Sequence, residues 1–322
     1  MPRFGTLIPT MLSLLALAAT PGCSPAAGKS PAFDQNHAFE LLKKQVGFGP
    51  RYPGAPGHDL MVKFLSDELK PYADTIDVQK FTRNIRGKHL TLHNVAACFN
   101  ASAKKWVLLA AHWDSRPTAD EEILASKRKM PIPGANDGAS GVAVLLELAR
   151  VFAKQRPDIG VYVIFLDGED YGPGENDMYL GAKYFAANMS ALAKANGRPI
   201  KFDYGILLDM IGDKNLDIYY EQQSLAAAPE VAKKVWKAAA DLGYDDVFIP
   251  KVKYAISDDH IPLIRAGVKC IDVIDFDYGP WHTLDDTADK CSPASLKIVG
   301  ETIARVIYQE SGSQSGVGKR DE

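Results

Sequence analysis

The chain has 322 residues, of which 46% are hydrophobic, 24% charged and 9% aromatic. That composition excludes disorder, collagen-like repeats and coiled coil for the whole chain, and the length suffices for one large α/β core or two smaller ones. With 37 basic and 40 acidic residues the net charge is −3, so the basic excess expected of a nucleic-acid binder is missing. The short run Ser126-Lys127-Arg128-Lys129 reads as a solvated loop.

At the N-terminus, Arg3 precedes an apolar stretch from Leu7 to Ala19. It is too short to span a bilayer comfortably and reads as the core of a signal peptide. The Gly22-Cys23 pair that follows resembles a bacterial lipoprotein cleavage site. The expected organisation is a signal peptide over 1–22, a flexible tether over 23–33, a single catalytic domain over 34–310 and a disordered tail over 311–322. Export to the periplasm or cell surface follows, with the protein either lipid-anchored at Cys23 or cleaved nearby and soluble. Helical periodicity marks 38–46, 60–69, 141–152, 180–188, 226–242 and 295–308. Apolar runs without helical phase at 106–111, 159–166, 204–208 and 268–274 read as buried parallel strands, with 75–82 and 89–99 as a flanking antiparallel pair. This alternation predicts a three-layer α/β/α sandwich around a mostly parallel, mixed central sheet. Cys98 and Cys270 fall in apolar runs and read as buried thiols; the sequence leaves open one disulfide among Cys98, Cys270 and Cys291.

In such sheets ligands bind beyond the carboxyl ends of the strands. There the sequence places His112, Trp113 and Asp114 after one strand and Asp167, Glu169 and Asp170 after another. Asp209 follows the third, and Asp275, Trp281 and His282 the fourth, while Asn136-Asp137-Gly138 precedes a helix. So many carboxylates at one rim repel one another unless some stay protonated or a cation joins them. Imidazole and carboxylate donors suit zinc. Glu169 and Asp170 are adjacent, so their side chains diverge: one can face a metal while the other acts as a base over the substrate. No Gly-x-Ser-x-Gly elbow, Walker-type phosphate loop or Rossmann glycine fingerprint is present, and no cysteine falls at these strand ends.

Over about 39–308 the chain resembles the zinc-dependent glutaminyl-peptide cyclotransferases (glutaminyl cyclases), which share their fold with the bacterial two-zinc aminopeptidases. The likeness is carried by His112-Trp113-Asp114-Ser115, Gly134-Ala135-Asn136-Asp137-Gly138-Ala139-Ser140-Gly141 and Leu166-Asp167-Gly168-Glu169-Asp170. It is carried equally by Leu208-Asp209-Met210-Ile211-Gly212, Asp258-Asp259-His260-Ile261-Pro262 and Trp281-His282-Thr283-Leu284-Asp285-Asp286. The resemblance implies one Zn²⁺ held by Asp137, Asp170 and His282, with Glu169 as general base and acid. It implies a hydrogen-bonded carboxylate pair, Asp209 and Asp258, near Glu169, and Trp281 as a wall of the substrate pocket. Peptide or protein N-termini would be the substrate. Two departures stand out: the family often has Glu where this chain has Asp170, and Tyr171-Gly172-Pro173-Gly174 stands where the animal enzymes have a second pocket tryptophan.

The aminopeptidase carry-over uses the same side chains differently. There His112 and Asp209 bind a second zinc, Asp137 bridges both ions and Glu169 activates water. The ligand types alone do not separate the two readings; the Trp281-His282 pair and the doubled acid Asp258-Asp259 match the cyclases better.

Overall fold

The computed structural model describes Met1 and residues 31–312. The expected signal peptide, Cys23 and the tail beyond 312 lie outside the described residues. Phe33, at the end of the expected tether, is buried in the main core.

The chain runs α1 (Gln35–Gly47), α2 (Pro56–Leu69), β1 (Thr75–Ile85), β2 (Lys88–Phe99), β3 (Trp106–His112), α3 (Ala139–Lys154) and β4 (Gly160–Leu166). It continues through α4 (Leu180–Leu192), β5 (Lys194–Ala195), β6 (Arg198–Pro199), β7 (Tyr204–Asp209) and β8 (Ile218–Glu221). Last come α5 (Gln222–Ala227), α6 (Pro229–Ala240), β9 (Phe248–Tyr254), α7 (His260–Arg265), β10 (Cys270–Ile274) and α8 (Pro293–Gly312). The central sheet has the order β1-β2-β4-β3-β7-β10. Strands β4, β3, β7 and β10 are parallel, and β1 and β2 add an antiparallel flank. This is the mixed, mostly parallel sheet that the alternation of apolar runs predicts.

Successive residues of a strand point to opposite faces, and here both faces are apolar. Val107, Leu109 and Ala111 of β3 enter the core beneath α1, α3, α6 and α8, while Trp106, Leu108 and Ala110 enter the core beneath α4 and α7. In β4, Val161, Val163 and Phe165 oppose Tyr162, Ile164 and Leu166 in the same way. Helix α3 is buried from Ala139 to Ala149, so its apolar residues encircle it.

Two expectations change, and one pair of strands is new. The helix read over 226–242 is two helices, because Pro229 cannot donate into a continuing ladder and opens α6 as its first residue. The strand read over 268–274 begins at Cys270. A small parallel pair, β8 and β9, was not foreseen; β9 carries exposed residues on both faces and so lacks the burial pattern of a strand. Cys98, Cys270 and Cys291 are buried free thiols, without a disulfide.

At Gly141, α3 crosses the sheet so closely that a Cβ would sit 2.2 Å from the Leu208 carbonyl oxygen and 3.0 Å from the Ala111 Cβ. Gly141→Ala is therefore expected to lower stability by about 1–3 kcal/mol, the usual cost of overpacking, measured as a lower urea midpoint with an unchanged slope.

Candidate active site

The parallel strands bring their carboxyl ends to one rim, in register: His112 lies opposite Leu166 and Asp209 opposite Ile274. β4 and β7 flank β3 on opposite sides, which makes the end of β3 a topological switch point, where α/β sheets open a crevice. His112 closes β3, Asp209 closes β7, Glu169 and Asp170 follow β4, and Asp137 precedes α3. Asp275, also at the rim, serves another end: it accepts the backbone N–H groups of Asp217 and Asp277, each at 3.0 Å. Burial pushes its carboxyl up to about 7.

Buried polar groups fix the loops. Both oxygens of Asp114 accept backbone N–H bonds, from Glu169 at 3.0 Å and from Asp170 at 3.3 Å, which sets the direction of the acidic turn. Asp286 does the same for the other loop, accepting from the amides of Asn136 at 2.8 Å and Asp137 at 3.3 Å and from the Tyr278 hydroxyl at 2.7 Å. The Arg51 guanidinium is fully buried and donates to the carbonyls of Trp113, Pro133 and Gly134, at 3.3, 2.8 and 2.6 Å. Gly134 turns there with φ +66°, and a Cβ would lie 2.7 Å from the Arg51 Nη2. Burial pulls Arg51 down to about 10, but Asp286, Asp114 and Asp137 keep it charged. Residues distant in sequence thus hold the loops that carry Asp137 and Glu169-Asp170.

Donor atoms of Asp137, Asp170 and His282 all lie within 4.8 Å of one another. The His282 Nε2 is 3.3 Å from Asp170 Oδ1 and 3.6 Å from Asp137 Oδ2. Two donors bound to one tetrahedral zinc at about 2.0–2.1 Å lie about 3.3 Å apart. Asp170 Oδ2 is buried with no hydrogen-bond partner, an atom that a cation would satisfy. The donor types, the spacing and this orphaned oxygen fit zinc. A second group, His112, Asp137 and Asp209, meets the same criterion: the His112 Nε2 stands 3.1 Å from Asp209 Oδ1 and 3.2 Å from Asp137 Oδ1. Asp137 belongs to both groups.

Sequence reasoning assigned no role to Arg116. It is buried, pairs with Asp120 and Asp170, and lines the cleft. Burial and then the nearby acids Asp170, Asp258 and Asp259 hold the Glu169 carboxyl well above its usual range, against the opposing pull of His112. Burial likewise pushes Asp209 up to about 7, with Asp258 and Asp137 adding to it. Asp209 faces His112, whereas Asp258 accepts the Asp259 amide through one oxygen and meets the Asp272 carboxyl. Both carboxylates still line the same cleft, of about 430 Å³. Trp281 stacks on His282 with ring centres 3.8 Å apart and meets Phe276 edge-on at 5.1 Å, making an aromatic wall. Pro173 lines the cleft in the segment where a second tryptophan stands in the animal enzymes.

Residues 94–307 match the model of Peptidase family M28. Among solved structures, a glutaminyl cyclase of Bacteroides thetaiotaomicron bound to N-acetylhistamine is 37% identical, with a TM-score of 0.82, over 87% of this chain and 99% of that one. A Zn-dependent exopeptidase from Parabacteroides distasonis is as similar, at 37% identity and a TM-score of 0.83 over the same shares of the two chains. The glutaminyl-peptide cyclotransferase of Bos taurus is 26% identical over 287 residues, covering 76% of this chain and 74% of the bovine protein. With the α/β sandwich, the two acidic loops and the aromatic wall already in place, these likenesses show that the chain belongs to peptidase family M28, among its glutaminyl cyclases.

Proposed function

We propose that this enzyme converts N-terminal glutamine of peptides and proteins to pyroglutamate, releasing ammonia, with one zinc ion held by Asp137, Asp170 and His282. The observation that carries this reading is the meeting of those three donors beside Glu169, a carboxyl that burial and then the neighbouring acids push well above its usual range. Bound zinc supplies Lewis acidity toward the γ-amide carbonyl.

The chain's own residues do the rest. The cleft holds the glutamine side chain folded back, so that its α-amine lies against the γ-carbonyl carbon; this is proximity catalysis. As the new C–N bond forms, Glu169 takes a proton from the amine. As the amide C–N bond breaks, Glu169 returns that proton to the departing nitrogen, which leaves as ammonia. A base that must also act as acid needs a pKa raised toward neutrality, and burial among Asp170, Asp258 and Asp259 pushes Glu169 in that direction. Trp281 and Phe276 keep water from competing with the amine. Asp258 raises the Glu169 carboxyl further, and Asp209 lines the same cleft. The signal-like stretch over 1–22 and the Gly22-Cys23 pair support export, either anchored through a lipid on Cys23 or released as a soluble enzyme.

Hydrolytic removal of N-terminal residues is the second reading. It is favoured by the His112, Asp137 and Asp209 group and calls for a second ion there. Incubation with a Gln-initiated peptide, followed by mass spectrometry, separates the two: the first reading expects loss of ammonia, the second loss of a residue. For cyclisation, Glu169→Gln is expected to slow turnover roughly 10²–10⁴-fold while zinc content, measured by elemental analysis, stays unchanged. Loss of zinc in that variant would show that the roles of Glu169 and Asp170 are exchanged. His282→Ala is expected to abolish both turnover and tight zinc binding in the same assays.

A further inference from the structure

A third group of donors stands apart from the cleft. His58 on α2, His93 on β2 and Asp167 at the end of β4 bring one ligand atom each within 4.8 Å of the others. His58 and Asp167 are buried, at 2% and 0% exposure, and His93 is half-buried. The His58 Nε2 lies 2.8 Å from Asp167 Oδ2, and the same oxygen accepts the His93 backbone N–H at 2.6 Å. That leaves His93 Nδ1 and Asp167 Oδ1, both buried, without any hydrogen-bond partner. One proton shared by His58 and Asp167 satisfies that pair alone. Buried polar atoms without partners need an explanation, and two in one cluster point to a missing group that accepts lone pairs.

We propose that His58, His93 and Asp167 form a further divalent metal site of zinc type, at the foot of the turn that carries Glu169 and Asp170. Two imidazoles and one carboxylate suit zinc, whereas calcium and magnesium take all-oxygen sets; three protein ligands leave a position for water. The ion would displace the proton between His58 and Asp167 and engage the unused donors. The rings are held for this. His58 tilts against Trp113 with ring centres 4.6 Å apart, the Trp113 Nε1 donates to the His93 carbonyl at 3.1 Å, and the Asp59 carboxylate lies 3.8 Å from the other nitrogen of His58. Burial, then the nearby His58, holds His93 below its usual range, so it offers a neutral imidazole. The half-exposure of His93 gives the ion a way in. Asp167 opens the acidic turn, so an ion gripping it would brace the catalytic loop from below.

The test counts zinc per chain after dialysis against excess free zinc, in the wild type and in His93→Ala, each also combined with His282→Ala. The expected result is one equivalent fewer in His93→Ala than in its parent, in both backgrounds. Added zinc should also raise the unfolding midpoint of His282→Ala but not of the doubly substituted chain. Equal zinc contents with and without His93 would overturn the proposal, whatever the active site binds. Should His93→Ala not fold, His93→Gln keeps the bulk and carries the same comparison.

Discussion

Like charges do not share a buried site unless something neutralises them, and this rim is built around that constraint. Asp137, Asp170, Glu169, Asp209, Asp258 and Asp259 are all buried at the ends of the parallel strands or in the loops beside them. Arg116 is the cation set among them, and the imidazoles of His112 and His282 lie against them. The response is divided. Glu169, Asp209, Asp258 and Asp259 are pushed toward the neutral form by burial and by one another. Asp137 is drawn the other way, because His112 and His282 outweigh the penalty of its burial. One rim thus holds a carboxylate ready to bind a cation next to carboxyls ready to hold protons, the pairing that acid–base chemistry beside a metal requires.

The fold was legible where burial is complete. The β3 and β4 segments are apolar at every position because helices cover both faces, and such runs stand out in a sequence. β9 was not legible, since its alternation answers to one small partner strand and its side chains meet solvent. The break between α5 and α6 was written in Pro229, within an otherwise continuous helical pattern. The site residues were legible as polar interruptions at the ends of apolar runs, which is how Asp137, Glu169, Asp170, Asp209 and His282 were found together. Their supports were not. Arg51 holds carbonyls more than 60 positions away, and Asp286 holds amides about 150 positions away; no local pattern encodes such pairings. Asp167 was legible at a strand end, but its meeting with His58 and His93 was not, for the same reason: the three come together only through the tertiary fold.

A sharper question follows from the two donor groups that share Asp137, because such a rim offers places for one ion or for two. In this chain His112 stands between Asp137 and Asp209, at hydrogen-bond distance from each. Burial opposes a charge on its ring, but Asp209, Asp114 and Asp137 outweigh burial and hold the imidazole well above its usual range. A protonated His112 would place positive charge where a second ion would sit, against Asp137 Oδ1 and Asp209 Oδ1. The other oxygen of Asp137 and the Asp170 Oδ1 that Arg116 also holds face His282, and Asp170 Oδ2 is left for one further cation. On this account a one-metal centre needs no lost ligand. It needs a ligand that keeps its proton, and an aromatic wall that admits the substrate's own amine where a hydrolase admits water.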